Sequence, residues 1–397
     1  MRFQKILIGF ISLLFVSTML VPTDSNAIPA FARRYKISCT TCHAPFPKLK
    51  PYGDEFAGNG FIMVENEKER DYITAGDDLL WLNKEIPLAV RFDAFALYDQ
   101  DKTVDKDLQT PFGLKLLSGG TLYKNIGYYF YFYMYEAGQV AGIEDAYIHF
   151  NDMFKIPLDI LVGQFQVCDP LMKRELRLTY EDYQIFRVRV GDSRTNLTYD
   201  RGVMFTYGIS QTNTDLFAMV VNGNGKKPAS EEYLKFDDDK FKNFAVRLKQ
   251  GLGKYLSLGG FYYQGKEKVL IGEEVGKLEN KVSYYGPDAS VVAGPVELTA
   301  QYLIRKDTNP LFIQAAREFE TKGIVAEVII SPFLDRSRYY FTGLYNNIDS
   351  DQAELKYQTA TISVIYLLAR NLRLNAEFTR DLERDSNRFG IGMVTAF

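Results

Sequence analysis

Val296-Glu297-Leu298-Thr299-Ala300-Gln301-Tyr302-Leu303-Ile304-Arg305 puts Val, Leu, Ala, Tyr and Ile on one side of an extended chain and Glu, Thr, Gln, Leu and Arg on the other. Successive side chains of a strand point to opposite faces, so this split reads as a strand with one apolar and one mainly polar environment. Leu372, Leu374, Ala376 and Phe378 alternate in the same way with Arg373, Asn375, Glu377 and Thr379. Phe244, Val246 and Leu248 alternate with Ala245, Arg247 and Lys249, and Leu88, Val90, Phe92 and Ala94 oppose Arg91 and Asp93. From Ile86 to the end the chain repeats such segments, roughly ten residues each, between turn residues. A soluble sandwich would alternate too.

Three features favour a closed barrel in lipid. Tyr and Phe are abundant, 27 and 29, while Cys is scarce at 3, as aromatic girdles at the membrane interfaces require. The connections alternate in length. About sixteen antiparallel strands would be joined by long links near 99–110, 166–200, 223–240, 265–280 and 306–320. Tight links fall at Lys124-Asn125, 251–254, Gly294-Pro295, 332–335 and 369–371. Short periplasmic turns and longer outer loops produce that rhythm. Finally, the chain ends on Phe397 after Thr395, Met393, Ile391 and Phe389 at every second position, which resembles the C-terminal aromatic signature of outer-membrane barrels. An all-β transmembrane barrel over residues 86–397, in the bacterial outer membrane and in contact with its lipid, is the expectation. An even strand count puts both barrel ends in the periplasm.

Residues 1–27 read as a secretory signal peptide: Arg2 and Lys5, an apolar run from Ile6 to Leu20, and Ser25-Asn26-Ala27 for cleavage. Soon after comes Cys39-Thr40-Thr41-Cys42-His43. Two thiols, two spacers and an adjoining His form the c-type haem attachment pattern. Cys39 and Cys42 would add to the vinyl groups as thioethers, and His43 would reach the iron as axial ligand. The chain has three Cys and two His, so these five residues hold most of both.

Around the motif, residues 28–64 read as a short helical haem-binding segment. One helix opens near Pro29 and runs through Ala30–Tyr35; a second carries Leu49, Tyr52 and Phe56 and ends at Gly58 or Gly60. Roughly 35 residues make too small a core to stand alone, so haem or the rest of the protein must cover it. The second axial position has three readings: Met63, ranked first because the chain could return there to the iron; His149; or an open site. Zinc would need Cys168 or His149 recruited from far away. A thioredoxin-like pair lacks its βαβ context, and a local disulfide leaves His43 unexplained. Cys168 is a lone thiol on a long loop, open to oxidation. Residues 65–85, rich in Glu, Asp and Lys, read as a linker.

The link near 166–200 is too long for a simple tip. It carries Lys173, Arg174, Arg177, Arg187, Arg189 and Arg194 against Glu175, Glu181 and Asp182. Two readings stand: an electropositive constriction that favours anions, or charges paired within the loop. Tyr129, Tyr131, Tyr133 and Tyr135 form one face of a strand and read as wall packing with hydroxyls wetted by the pore, a redox relay or sugar-stacking track being the alternative, and His149 shares a face with Asp145 and Tyr147. A formal net charge of −3 argues against a nucleic-acid partner. There is no P-loop or dinucleotide fingerprint, and Asn222-Gly223-Asn224-Gly225 is loop chemistry.

Phe31-Ala32-Arg33-Arg34-Tyr35, Ser38–His43, Phe46-Pro47-Lys48-Leu49, Phe56 and Asn59-Gly60-Phe61 resemble the haem segment of monohaem cytochrome–porin proteins of Gram-negative bacteria. Glu144-Asp145-Ala146-Tyr147 with Val162-Gly163-Gln164-Phe165 is similar to strands of phosphate-selective porin O/P barrels. In general porins the third loop folds inward, and the likeness implies the same here. What the resemblance implies is one covalent haem c on an outer-membrane barrel linked to respiratory electron transfer. The redox partner would be a periplasmic or extracellular protein or a soluble acceptor. One haem cannot wire a hydrocarbon core about 30 Å thick. The alternative is an anion or small-solute porin whose haem segment is a plug or redox-sensitive gate. No catalytic residues are expected, although an open sixth position would allow peroxidase-type chemistry. A homotrimer is one expected assembly.

Overall fold

The computed structural model describes residues 30–63, 72–100, 103–229, 234–237, 239–271 and 275–397, with backbone alone for 269–271 and 275–277. The expected signal peptide, 1–27, lies outside the described residues, as does 64–71 of the haem segment and linker. Three helices open the described chain: α1 (Ala30–Tyr35), α2 (Cys39–Cys42) and α3 (Pro51–Gly58). Pro51 sits in the first turn of α3, where its missing N–H costs nothing. Within the expected linker, β1 (Tyr72–Ile73) pairs with β2 (Leu82–Asn83), and Trp81 packs on Tyr72 at 4.3 Å between ring centres.

Sixteen strands then close into one antiparallel barrel. The first eight are β3 (Leu88–Asp99), β4 (Lys106–Tyr123), β5 (Ile126–Glu136), β6 (Gly142–Phe150), β7 (Leu158–Gln166), β8 (Tyr199–Ile209), β9 (Thr214–Val221) and β10 (Asn243–Leu252). The rest are β11 (Leu256–Ile271), β12 (Val275–Ala293), β13 (Val296–Asp307), β14 (Phe319–Ile330), β15 (Tyr339–Ser350), β16 (Tyr357–Ala369), β17 (Leu372–Asp381) and β18 (Ser386–Ala396). Each pairs with its neighbours in sequence, and β18 pairs with β3. The terminal residue completes the seam: Val90 N–H donates to the Phe397 carbonyl at 2.7 Å, and Phe397 N–H returns to Val90 at 2.8 Å. Closure removes every strand edge, which lipid demands because no water is there to satisfy one.

The alternation is realised as inside and outside. In β13, Gln301, Leu303, Arg305 and Asp307 are buried in the lumen. Leu298, Val246, Leu248, Ile362, Val364, Phe389 and Ile391 face outward and are exposed, forming the apolar exterior that a lipid-spanning barrel needs. No helix among the described residues is long and apolar enough to cross a membrane.

Two expected loops are strand. Lys106 already pairs with Tyr98, and β11 and β12 continue pairing through Lys266–Lys281 and Glu267–Asn280 where a loop at 265–280 was expected. The sequence Lys266-Glu267-Lys268-Val269-Leu270-Ile271 does not alternate; the ladder is carried on by cross-strand pairs such as Lys266 with Glu279 at 2.5 Å.

The third long link, 167–198, folds into the lumen. Arg305, fully buried, donates to the Val188 and Thr195 carbonyls and to Ser193 Oγ, each at 2.8 Å. Tyr183 donates to Glu327 at 2.8 Å. Phe186, Val190 and Leu197 join Phe165, Tyr263, Tyr284 and Leu303 of the wall in one apolar cluster. Cys168 belongs to that cluster and is fully buried, so it is not the exposed, oxidisable thiol its loop position implied.

Candidate functional site

Helices α1–α3 lie inside the barrel mouth on the rim that carries the short turns. Lys48 pairs with Glu297 at 2.9 Å and Glu327 at 3.7 Å, and Lys50 pairs with Asp335 of a short turn at 2.7 Å. Arg33 donates to the Leu88 carbonyl at 2.8 Å, and Lys173 of the inward loop reaches Asp54 at 2.8 Å. Phe61 stacks on Phe31 at 5.1 Å and on Tyr129 of β5 at 4.9 Å. The small apolar core of this segment is thus completed by the lumen wall. Burial pulls the Lys48 ammonium down, but Glu327 and Glu297 outweigh it and push it up to about 12.

The Cys-Thr-Thr-Cys turn is locally fixed. Ser38 Oγ accepts from Thr40 N–H at 3.3 Å, capping α2, and His43 N–H closes on the Cys39 carbonyl at 2.8 Å. Lys50 N–H donates to the Cys42 carbonyl at 2.8 Å. Gly53 packs so closely that a Cβ there would stand 2.3 Å from the Cys42 carbonyl oxygen.

Cys39, Cys42 and His43 line a single cavity between the segment, the β3–β7 wall and the inward loop. It holds about 220 Å³ for the centres of water molecules and about 1430 Å³ of atom-free space with its mouth included. Phe31, Phe46, Leu49, Phe56 and Leu117 give it apolar surface; Tyr129, Tyr147, Asp145, Asp169 and Glu175 form the far wall. Both thiols are half-buried and unbridged, and burial pushes each up, so they remain S–H at neutral pH. His43 Nδ1 lies 3.0 Å from the Pro47 carbonyl, which accepts its N–H and leaves the Nε2 lone pair for a metal. Burial holds the imidazole below its usual range, hence neutral. A thiol pair, an oriented neutral imidazole and an aromatic cavity fit a thioether-bound haem.

His149 is buried on the lumen face against Gly60, and neither of its ring nitrogens has a partner among the described residues. Met63 follows three residues after Gly60. Neither lines the cavity that contains His43.

The tyrosine row is not a wetted track. Tyr131 and Tyr133 are buried and both donate to Glu175 Oε2, at 3.2 and 2.9 Å, and a bulge after Tyr133 breaks the row before Tyr135. Most of the loop's charges, Asp169 excepted, are paired internally, to the wall or to the N-terminal segment. Arg174 and Arg187 meet Asp182 at 2.9 and 3.2 Å, and Lys115 meets Glu175 at 3.4 Å. Of the two readings of that loop, pairing is the one observed. Asp169 joins the far wall without any sequence signal, because an irregular loop carries no period.

No protein-family model matches the chain, and no curated protein does. Solved structures share the barrel. The anion-selective porin from Comamonas acidovorans superposes with a TM-score of 0.56 at 12% identity, over 79% of this chain and 99% of that one. The trimer form of OmpT from Vibrio cholerae gives 0.55 at 11% over 79% and 99%. The outer membrane channel DcaP of Acinetobacter baumannii gives 0.54 at 16% over 79% and 97%. At these identities the likeness is one of fold, and the fold is that of bacterial outer-membrane porins.

Proposed function

We propose that this chain is a non-enzymatic porin-type barrel of the bacterial outer membrane whose N-terminal segment is a lumenal plug bearing one covalent haem c. The observation that carries the reading is the docking of residues 30–63 inside the short-turn, periplasmic mouth, held by Lys48 to Glu297 and Glu327 and by Lys50 to Asp335. Cys39 and Cys42 would hold the haem, and His43 Nε2 would be its axial ligand, steered by the Pro47 carbonyl. Haem c supplies one-electron exchange when bound, so the plug would be redox-sensitive as well as obstructive. Planar-bilayer conductance of the full chain and of the K48M/K50M variant tests this. The variant should conduct more, and the full chain should differ between ferricyanide and dithionite. Equal conductance in all arms would rule out a plug.

A second reading, electron transfer at or across the outer membrane with a periplasmic or extracellular redox protein or a soluble acceptor, is favoured by the oriented His43 imidazole. A haem-stained gel and a reduced-minus-oxidised spectrum of purified outer membrane test cofactor and location together. Assembly as a homotrimer is supported by the trimer form of OmpT, and sedimentation in detergent would decide it.

A further inference from the structure

The far wall of the His43 cavity holds two carboxyl groups, Asp145 and Asp169, that make no ion pair among the described residues. Asp145 of β6 is buried, its Oδ1 has no hydrogen-bond partner, and Gln166 N–H is the donor that reaches the group. Asp169, on the inward loop, opens partly to the same enclosed cavity, and its Oδ1 is likewise without a partner. An orphaned carboxylate oxygen in a low-dielectric site costs several times more than one in water, and two such groups within electrostatic reach cannot both ionise cheaply.

The surroundings do not neutralise the pair. On the loop, Lys173 is tied to Asp54 of the plug, Arg174 is tied to Asp182 and Glu175, and Cys168 is a buried thiol. Lys226 is spent on Glu144 beside Asp145. Arg91 of β3 is bound to Asp93. Tyr129 of β5, Tyr147 of β6 and Tyr199 of β8 add phenols, and the plug presents neutral His43. Glu175 makes the contrast: burial opposes its charge, but Lys115, Arg174, Arg177 and Arg91 outweigh it and keep it well below the usual carboxylate range. At Asp169 burial outweighs Lys173 and Arg174, which pull the other way, and pushes the carboxyl up to about 7.

We infer that Asp145 and Asp169 hold one proton between them beside the haem, and that electron exchange at this site is coupled to its uptake and release. The inference rests on the haem-bearing reading above. On oxidation the carboxyl pair gives its proton to lumenal water as one electron passes from the iron to a one-electron redox protein; on reduction both return. The net charge of the cavity is then unchanged, which removes the electrostatic cost of altering it in a buried site. Reduction favours the protonated pair, so the midpoint potential falls as pH rises through the neutral range.

Potentiometric titration of the haem in the full-length holoprotein between pH 5.5 and 8.5 tests this. One proton per electron means a tenfold change in proton activity per pH unit, about 59 mV for a one-electron couple. The wild type should approach that slope, and D145N/D169N should lie flat with its haem spectrum intact. A flat wild type, or a double variant with the wild-type slope, would overturn the coupling and assign any slope to propionate or another group. If the variants fail to fold, redox-difference infrared spectra of the wild type serve instead: a protonated-carboxyl C=O band must vanish on oxidation, and its absence is fatal. A protein with no haem-stained band fails the functional reading itself, whereas a haem-bearing protein with no slope fails only this one.

Discussion

Lys48 shows how one side chain can hold an element that has little core of its own. Its partner Glu327 is buried in the lumen, so Lys48→Met leaves a carboxylate facing only Tyr183 Oη, at a cost of about 3 kcal/mol. Protease accessibility of residues 30–63 in the folded barrel should rise accordingly. Because the folded Lys48 value, about 12, lies above its ordinary 10.5, the stabilisation is fully present below 10.5 and is lost as pH climbs through 12. Protection of the plug should therefore be level from neutral pH to 10 and fail beyond. Gly53→Ala would press a methyl into the Cys42 carbonyl, overpacking worth about 1–3 kcal/mol. Covalent haem per barrel, read by stained gel, should drop several-fold while barrel content holds. The thiols and His43 were legible as a motif; Pro47 as the acceptor that sets the imidazole's tautomer was not, since that depends on how the chain turns back.

At the level of the element, the inward loop owes its place to the wall more than to itself. It has only single-turn helices over Arg174–Leu176 and Gln184–Phe186, and its backbone groups are met by Arg305, Glu377, Asn346 and Asn375. Arg305→Met strips two of those hydrogen bonds and a third to Ser193 Oγ of the loop, and leaves Asp307 buried without its guanidinium. We expect about 3–5 kcal/mol of destabilisation and new tryptic cleavage at Arg187, Arg189 or Arg194; a loop as protected as wild type would show that the apolar cluster alone holds it. Length and charge pointed to this loop, but its sequence carries acids and bases in similar numbers. Only the fold shows that they neutralise one another. The β11–β12 ribbon makes the converse point: past residue 265 the alternation lapses, and cross-strand pairing that no local pattern announces extends the strands where a loop was expected.

For the whole molecule, the two faces of the barrel should answer differently to the same kind of change. Ile362 is outward and exposed near the middle of β16, while Ser363 beside it is buried in the lumen. Ile362→Arg should cost about 2–4 kcal/mol in lipid, as charge at the bilayer midplane does, and Ser363→Ala well under 1 kcal/mol. Urea unfolding in vesicles measures both, and equal costs would mean that the exterior does not meet hydrocarbon.

Strand number, the aromatic C-terminal ending, the apolar exterior and the haem-type motif follow from local pattern, because alternation and motif spacing are properties of consecutive residues. The tertiary structure alone decided that residues 30–63 enter the lumen, that most of the loop's charges are paired, and that Asp145 and Asp169 face the same cavity as His43. Each of those joins side chains far apart in the chain, and their energies depend on which partners closure of the sheet brings within reach.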